Sequence, residues 1–147
     1  MMNIILLSCF AMLLSPPASE KVGANLTIRF EGIDKTGGTV RLAIYNSRAD
    51  FMVESKAVLY NFRADKNGTL QGAIENLPAG SYGFAVFLDE NNNNKLDKNL
   101  FGVPTEPYSF SKDPPSKWRL PTWEEVKFEH GQSDKLLVVN LKRWALL

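Results

Sequence analysis

The sequence predicts an all-β protein, a single β-sandwich of approximately seven antiparallel strands spanning residues 20–147. Three observations carry this prediction. Apolar and polar residues alternate with period two along most of the chain, turn signals separate the alternating runs, and no segment longer than about three turns keeps a helical period. A closed eight-stranded barrel, the rival architecture, wants more even strand spacing. With any leader set aside, the 147-residue chain is long enough for one full hydrophobic core.

Each strand rests on its own pattern. Leu26, Ile28 and Phe30 alternate with Thr27, Arg29 and Glu31, and after Gly37-Gly38 the same alternation runs through Val40, Leu42 and Ile44. Ser47–Ser55 reads as a loop or short helical turn with Phe51 and Met52 turned inward. Val58, Tyr60 and Phe62 form a third strand, ended by Asp65-Lys66-Asn67-Gly68, where Asn-Gly tolerates positive φ and marks a hairpin. Leu70 to Ile74 is the fourth, followed by a turn at Leu77-Pro78-Ala79-Gly80. Tyr82, Phe84, Val86 and Leu88 make the fifth and most apolar strand.

A long Pro-rich loop, residues 99–121, follows this fifth strand. Pro104, Pro107, Pro114, Pro115 and Pro121 deny it a central strand or a long helix. Thr122 and Glu125 have capping-box spacing for one helical turn before Val126. Val126 and Phe128 then alternate with charged neighbours, and Leu137, Val139 and Leu141 form the last strand. The expected core is Leu26, Ile28, Phe30, Val40, Leu42, Ile44, Tyr60, Phe84, Val86, Leu88, Val139 and Leu141.

Residues 1–19 contain no Lys, Arg, Asp, Glu or His, and Ile4–Leu14 is almost wholly apolar. This run is short of the about 20 residues of a membrane span and is read as a signal peptide. Cleavage is expected after the small residues ending at Ser19, or as late as residue 24. Met1-Met2-Asn3 lacks the usual basic residue, which leaves a retained anchor or buried strand as the competing reading. The single cysteine, Cys9, lies inside the leader, so a mature chain would have no disulfide. Leu6-Leu7-Ser8-Cys9 is a loose lipobox, but too little apolar chain precedes it for lipidation to be favoured. A periplasmic or secreted destination is expected.

Charge excludes one class of partner. Lys and Arg number 17 and Asp and Glu 16, interleaved along the chain, so no basic stripe is available to nucleic acid.

The candidate site is Asp89-Glu90-Asn91-Asn92-Asn93-Asn94-Lys95-Leu96-Asp97. Oxygen-bearing side chains at alternate positions are what a tight loop needs to surround a hard cation such as Ca²⁺. Against an EF-hand loop, Asp89, Asn91 and Asn93 take the first, third and fifth ligand positions. Asn94 stands where glycine makes the sharp turn, Lys95 offers its backbone carbonyl, and Asp97 is the ninth-position ligand. Leu100 replaces the closing carboxylate, which a folded-back Glu106 would restore. Affinity is then expected in the weak range of about 10⁻⁴–10⁻³ M, with calcium ordering the Pro-rich segment. The competing reading is a polar turn closed by Asx hydrogen bonds that binds nothing.

Catalytic motifs are missing from the sequence. His130, in His130-Gly131-Gln132-Ser133, reads as a surface turn, and Glu124-Glu125 as a solvated first helical turn. The expectation is therefore a non-enzymatic module, binding or structural, with an envelope protein or glycan as partner. The alternative is a hydrolase or carbohydrate-active protein using Asp89, Asp97 and Glu106. Trp118, Trp123 and Trp144, with Tyr108 and Phe110, are expected either to pack the long loop down or to form an aromatic platform for a sugar or peptide.

One stretch carries a wider resemblance. Phe87-Leu88-Asp89-Glu90-Asn91-Asn92-Asn93, Lys95-Leu96-Asp97 and Phe101-Gly102-Val103-Pro104-Thr105-Glu106-Pro107-Tyr108-Ser109-Phe110-Ser111 resemble the bacterial domain-of-unknown-function family 2141. Gly38–Asn46 is similar to that family's early strand, and Pro114-Pro115 with Glu125–Phe128 to its C-terminal part. The resemblance covers nearly all of the chain after the leader. It implies an exported, single-domain, β-rich protein comparable to immunoglobulin-like or transthyretin-like sandwiches, and it brings no activity with it.

Overall fold

A computed structural model describes residues 23–34, 37–64 and 70–144. The leader with Cys9 and its cleavage points, and the Asp65-Lys66-Asn67-Gly68 hairpin, lie outside the described residues. The described chain is all-β: two sheets share one hydrophobic core. Its strands are β1 (Ala24–Glu31), β2 (Thr39–Tyr45), β3 (Val58–Arg63), β4 (Leu70–Leu77), β5 (Gly80–Asp89), β6 (Tyr108–Phe110), β7 (Phe128–His130) and β8 (Lys135–Asn140). A 3₁₀ turn covers Glu54–Lys56, and the helix α1 is a single turn, Trp123–Val126.

Period-two burial builds the first sheet, ordered β4-β1-β8. Leu26, Ile28 and Phe30 are fully buried, while their neighbours on β1 face outward. β1 pairs antiparallel with β4 and parallel with β8, Leu26 opposite Lys135 through Glu31 opposite Asn140. The wholly antiparallel expectation is thereby corrected. A hairpin turn enforces antiparallel pairing, but β8 reaches β1 after crossing from the other sheet, so no turn sets its direction.

The second sheet is built on β5. β2 lies along one edge of it and carries β3 beyond. Its other edge is shared by two short strands lying end to end. β6 pairs with Ala85–Phe87, and β7 with Gly80–Tyr82. The expected count of seven strands becomes eight because Tyr108–Phe110, inside the Pro-rich loop, is the strand β6. Three residues are too few to show a period, and at the edge of a sheet neighbouring prolines cost no central ladder bond. The chain after β8 returns to β6, where the Tyr108 and Lys142 backbones exchange hydrogen bonds of 3.0 and 3.1 Å.

The core joins both sheets through Leu26, Ile28, Phe30, Val40, Leu42, Ile44, Phe84, Val86, Leu88, Val139 and Leu141, with Tyr60 and Phe62 partly buried against it. Three local expectations change. Val126 closes α1 instead of opening a strand. Phe51 packs edge-on to Tyr45 and Trp123, but Met52, in the left-handed region at φ 64°, is 38% exposed. His130 is 2% exposed, not a surface turn residue, because β7 pairs with β5 and turns its side chain inward. The capping spacing, by contrast, is realised: the Thr122 N–H donates to the Glu125 carboxylate at 2.7 Å.

Where the sheets meet, the Phe30 and Phe62 rings pack at a tilt of 39° with centroids 5.6 Å apart, and the Phe62 ring lies over Gly72 of β4. A Cβ at Gly72 would stand 2.5 Å from Phe62 Cε1, inside any tolerable contact. Gly72→Val should therefore lower stability by about 1–3 kcal/mol through overpacking. Urea denaturation of parent and variant reads this, and coincident midpoints would contradict the packing described.

Candidate functional site

The site begins at the end of β5. Leu88 points into the core, so Asp89 faces the opposite side, where the following loop folds over it and leaves it fully buried. A buried carboxylate must be given donors. Arg41 Nε, reaching from β2, donates to Asp89 Oδ2 at 2.6 Å, and Arg41 Nη1 donates to Asn61 Oδ1 at 3.2 Å. The backbone N–H of Asn94 donates to Asp89 Oδ2 at 2.9 Å and that of Asn93 to Oδ1 at 3.1 Å. Burial pushes the Asp89 carboxyl up, but the Arg41 hydrogen bond, the two N–H groups and the Arg41 charge together hold it below its ordinary value.

The asparagines shape the loop in two ways. Asn92 and Asn94 adopt left-handed backbone, φ 57° and 67°, a conformation asparagine tolerates better than most residues. Asn91 and Asn93 close Asx turns, their Oδ1 atoms accepting the N–H of Asn93 at 3.1 Å and of Lys95 at 2.8 Å. Their Nδ2 groups donate to the two oxygens of Asp97, at 2.7 and 2.9 Å. Asn92 ties the loop to β2, accepting from Thr39 Oγ1 at 2.7 Å and donating to the Gly37 carbonyl at 3.1 Å.

Glu106, 4% exposed, folds back over the loop. Its two oxygens accept the N–H of Glu90 at 2.8 Å and of Asp97 at 3.0 Å. Every oxygen of Asp89, Asp97 and Glu106 thus accepts from an N–H donor of the protein. Arg143 binds the rim, pairing with Glu90 and donating to the Thr105 carbonyl at 2.7 Å.

Between Asp97 and Glu106 stands a compact turn. Asn99 Oδ1 accepts the N–H of Phe101 at 2.9 Å and of Val103 at 3.1 Å, while Asn99 N–H donates to the Val103 carbonyl at 2.9 Å. The Gly102 N–H donates to the Asn99 carbonyl at 2.9 Å, with Gly102 at φ 76°. The turn holds Leu100 and Phe101 out in solvent, 101% and 89% exposed.

The structure therefore gathers Asp89, Asn91, Asn93, Asp97 and Glu106 into one loop system, with Lys95 joined to it through its N–H. Among the described residues, no group of three or more His, Cys, Asp and Glu is placed to hold a metal ion. Arg41, Thr39 and Arg143 were not legible as site residues, since they reach it from 48 to 53 positions away. His130 lies elsewhere, its Nε2 3.2 Å from the Ala24 carbonyl and its ring edge-on to Tyr82. Trp123 is buried, whereas Trp118 is 83% exposed and meets Trp144 edge-on at 5.3 Å.

The profile of one protein family, described as "Uncharacterized protein conserved in bacteria (DUF2141)", matches residues 28–137. No curated protein and no solved structure matches the chain.

Asp89→Asn should cost about 3 kcal/mol, because it leaves Arg41 facing a neutral amide. The pH dependence has a definite sign. A carboxyl held below its ordinary 3.8 in the folded state stabilises fully above that value, and the contribution is lost as pH falls through the lower folded value. Glu125, held down to about 2 by Arg119 and the Thr122 N–H, gives a parallel contribution lost between 4.5 and about 2 in parent and variant alike. Melting curves from neutral pH into this acid range should show a shallower acid loss for Asp89→Asn. Equal acid limbs would remove Asp89 from the account.

Proposed function

The chain belongs to this bacterial family, and we propose that it is an exported, non-enzymatic binding module of the cell envelope. On this reading the fold is a β-sandwich of the immunoglobulin-like or transthyretin-like kind, with the Asp89–Glu106 end as its binding surface. The observation that carries it is the full engagement of the Asp89, Asp97 and Glu106 oxygens by internal N–H donors. A general acid needs a proton to give, and a nucleophile or base needs a free lone pair aimed at a substrate. These carboxylates instead hold a loop in one shape, and loops held on a rigid sheet are where binding modules place recognition. Export is supported by the apolar, uncharged residues 1–19.

A second reading keeps calcium on the same loop, through Asp89, Asn91, Asn93, the Lys95 carbonyl and Asp97, with Glu106 as an additional ligand. It is favoured by the exposure of Asn91 and Asn93, whose amides could rotate to turn oxygen toward an ion.

Two measurements separate these readings and the enzymatic alternative. Purified protein offered glycoside, peptide and ester substrates should show no turnover; turnover abolished by Asp97→Asn or Glu106→Gln would overturn the binding-module reading. The self-closed loop predicts the same melting temperature in millimolar calcium, in magnesium and in EDTA. The calcium reading instead predicts a rise with calcium alone, absent from Asp89→Ala, by mass action on the folded state.

A further inference from the structure

We infer that the free edge of β3 pairs with the β3 edge of a second copy of this chain, joining two of the larger sheets into one. The backbone states what fits there. β3 ends its sheet, with β2 on one side and no strand on the other among the described residues. In an antiparallel ladder, successive residues of an edge strand turn their N–H and C=O groups alternately toward the neighbour and away from it. The Ala64 N–H donates to the Gly38 carbonyl at 3.0 Å, which sets the phase. Val58, Tyr60 and Phe62 bond to β2, while Leu59, Asn61 and Arg63 present their N–H and C=O groups outward. These outward groups have no backbone partner among the described residues. A row of donors and acceptors at two-residue spacing is matched by another extended backbone.

The devices that keep sheet edges apart are weak on β3. It holds neither proline nor lysine, and its register with β2 runs without a shift from Arg63 opposite Thr39 to Val58 opposite Ile44. Val58 and Leu59 are 57% and 66% exposed. The other edges are curtailed. β6 and β7 are three residues each, and the chain beyond β8 already pairs with β6. β4 carries the left-handed Asn76, and its register with β1 shifts between Ala24 and Leu26.

The edge is complementary to itself. A two-fold axis through Asn61 sets Asn61 opposite Asn61, Leu59 opposite Arg63 and Tyr60 opposite Phe62 of the second copy, so every opposed pair shares a face. The one charge of the strand, Arg63, then meets Leu59, which its aliphatic stem can cover, and not another arginine. Tyr60 and Phe62 stack 6.5 Å apart and are only partly buried, because the sheet stops at β3. In this register they fall in the non-hydrogen-bonded pairs, where side chains lie closest and cross-strand aromatics gain contact.

The test is sedimentation equilibrium of the full chain, which should show dimers with a dissociation constant of about 10⁻⁵ M, ordinary for a small interface. Leu59→Lys sets an ammonium beside Arg63 of the second copy on both sides of the axis and should weaken the dimer at least about tenfold. Adding Arg63→Glu turns both repulsions into ion pairs and should return the affinity to within about threefold of the parent's. Amide exchange followed by NMR reads the phase of the pairing. Raising the concentration should slow exchange at Leu59, Asn61 and Arg63 and leave Tyr60 and Phe62, already bonded to β2, unchanged. Leu59 and Arg63 are exposed, so melting curves of the variants at dilutions where the parent is monomeric should superimpose on the parent's and confirm intact folding. A monomer at about 100 μM overturns the assignment and leaves the edge to an extended segment of a different chain. Self-association that Leu59→Lys leaves intact overturns it as well, and so does a double variant no tighter than Leu59→Lys. The inference does not rest on the Asp89–Glu106 end being a binding surface, and substrate turnover would leave it standing.

Discussion

A single buried charge organises this molecule. β5 alternates its side chains between the core and the opposite face, and the alternation that sends Leu88 inward leaves Asp89 under the loop, shut off from water. An ionised carboxylate in that position demands donors, and the chain supplies them from two directions. Arg41 arrives from the neighbouring strand, and the Asn93 and Asn94 N–H groups arrive from the loop itself. The loop must therefore curl tightly enough to aim consecutive N–H groups back at β5, which is why left-handed backbone occurs at Asn92 and Asn94. Once curled, the loop needs its far side held. Glu106 does this by bridging the N–H groups of Glu90 and Asp97.

The same logic explains how the end of the chain is fixed. Arg143 neutralises Glu90 and grips the Thr105 carbonyl, while Lys142 pairs its backbone with Tyr108. The last described residues thus close over the loop that Asp89 began. The segment that follows β8 of the first sheet is thereby joined by directed polar contacts to the loop that follows β5 of the second.

Much of the fold was legible because one face of each long strand is dry. Leu26, Ile28 and Phe30, or Val40, Leu42 and Ile44, declare their strand and its inward side without help from the rest of the chain. β6 and β7 were harder, since three residues hold no measurable period and their pairing depends on an edge of β5 that sequence does not reveal. His130 was misread because His-Gly-Gln-Ser has the composition of a turn, whereas the residue itself ends β7 and the turn begins after it. In the site, the spacing of Asp89, Asn91, Asn93, Asp97 and Glu106 announced a loop with oxygens directed inward. Spacing could not tell whether those oxygens face a cation or the chain's own N–H groups, because both arrangements ask for the same residues. Arg41 and Arg143 escaped notice for a different reason: surface-patterned arginines become partners only through strand register and chain closure.

The parallel pairing of β1 with β8 has a consequence in time. The strand that opens the described chain takes its neighbour from the strand that nearly ends it, and the Asn25 N–H meets Asp134 across 109 positions of sequence. Bringing such distant segments together must be paid for in chain entropy before any contact rewards it, so folds rich in these pairings assemble slowly. Until β8 arrives, Leu26, Ile28 and Phe30 have only β4 beside them in their sheet, and that sheet stays one strand short. The closing of the first sheet therefore waits on its longest-range pairing.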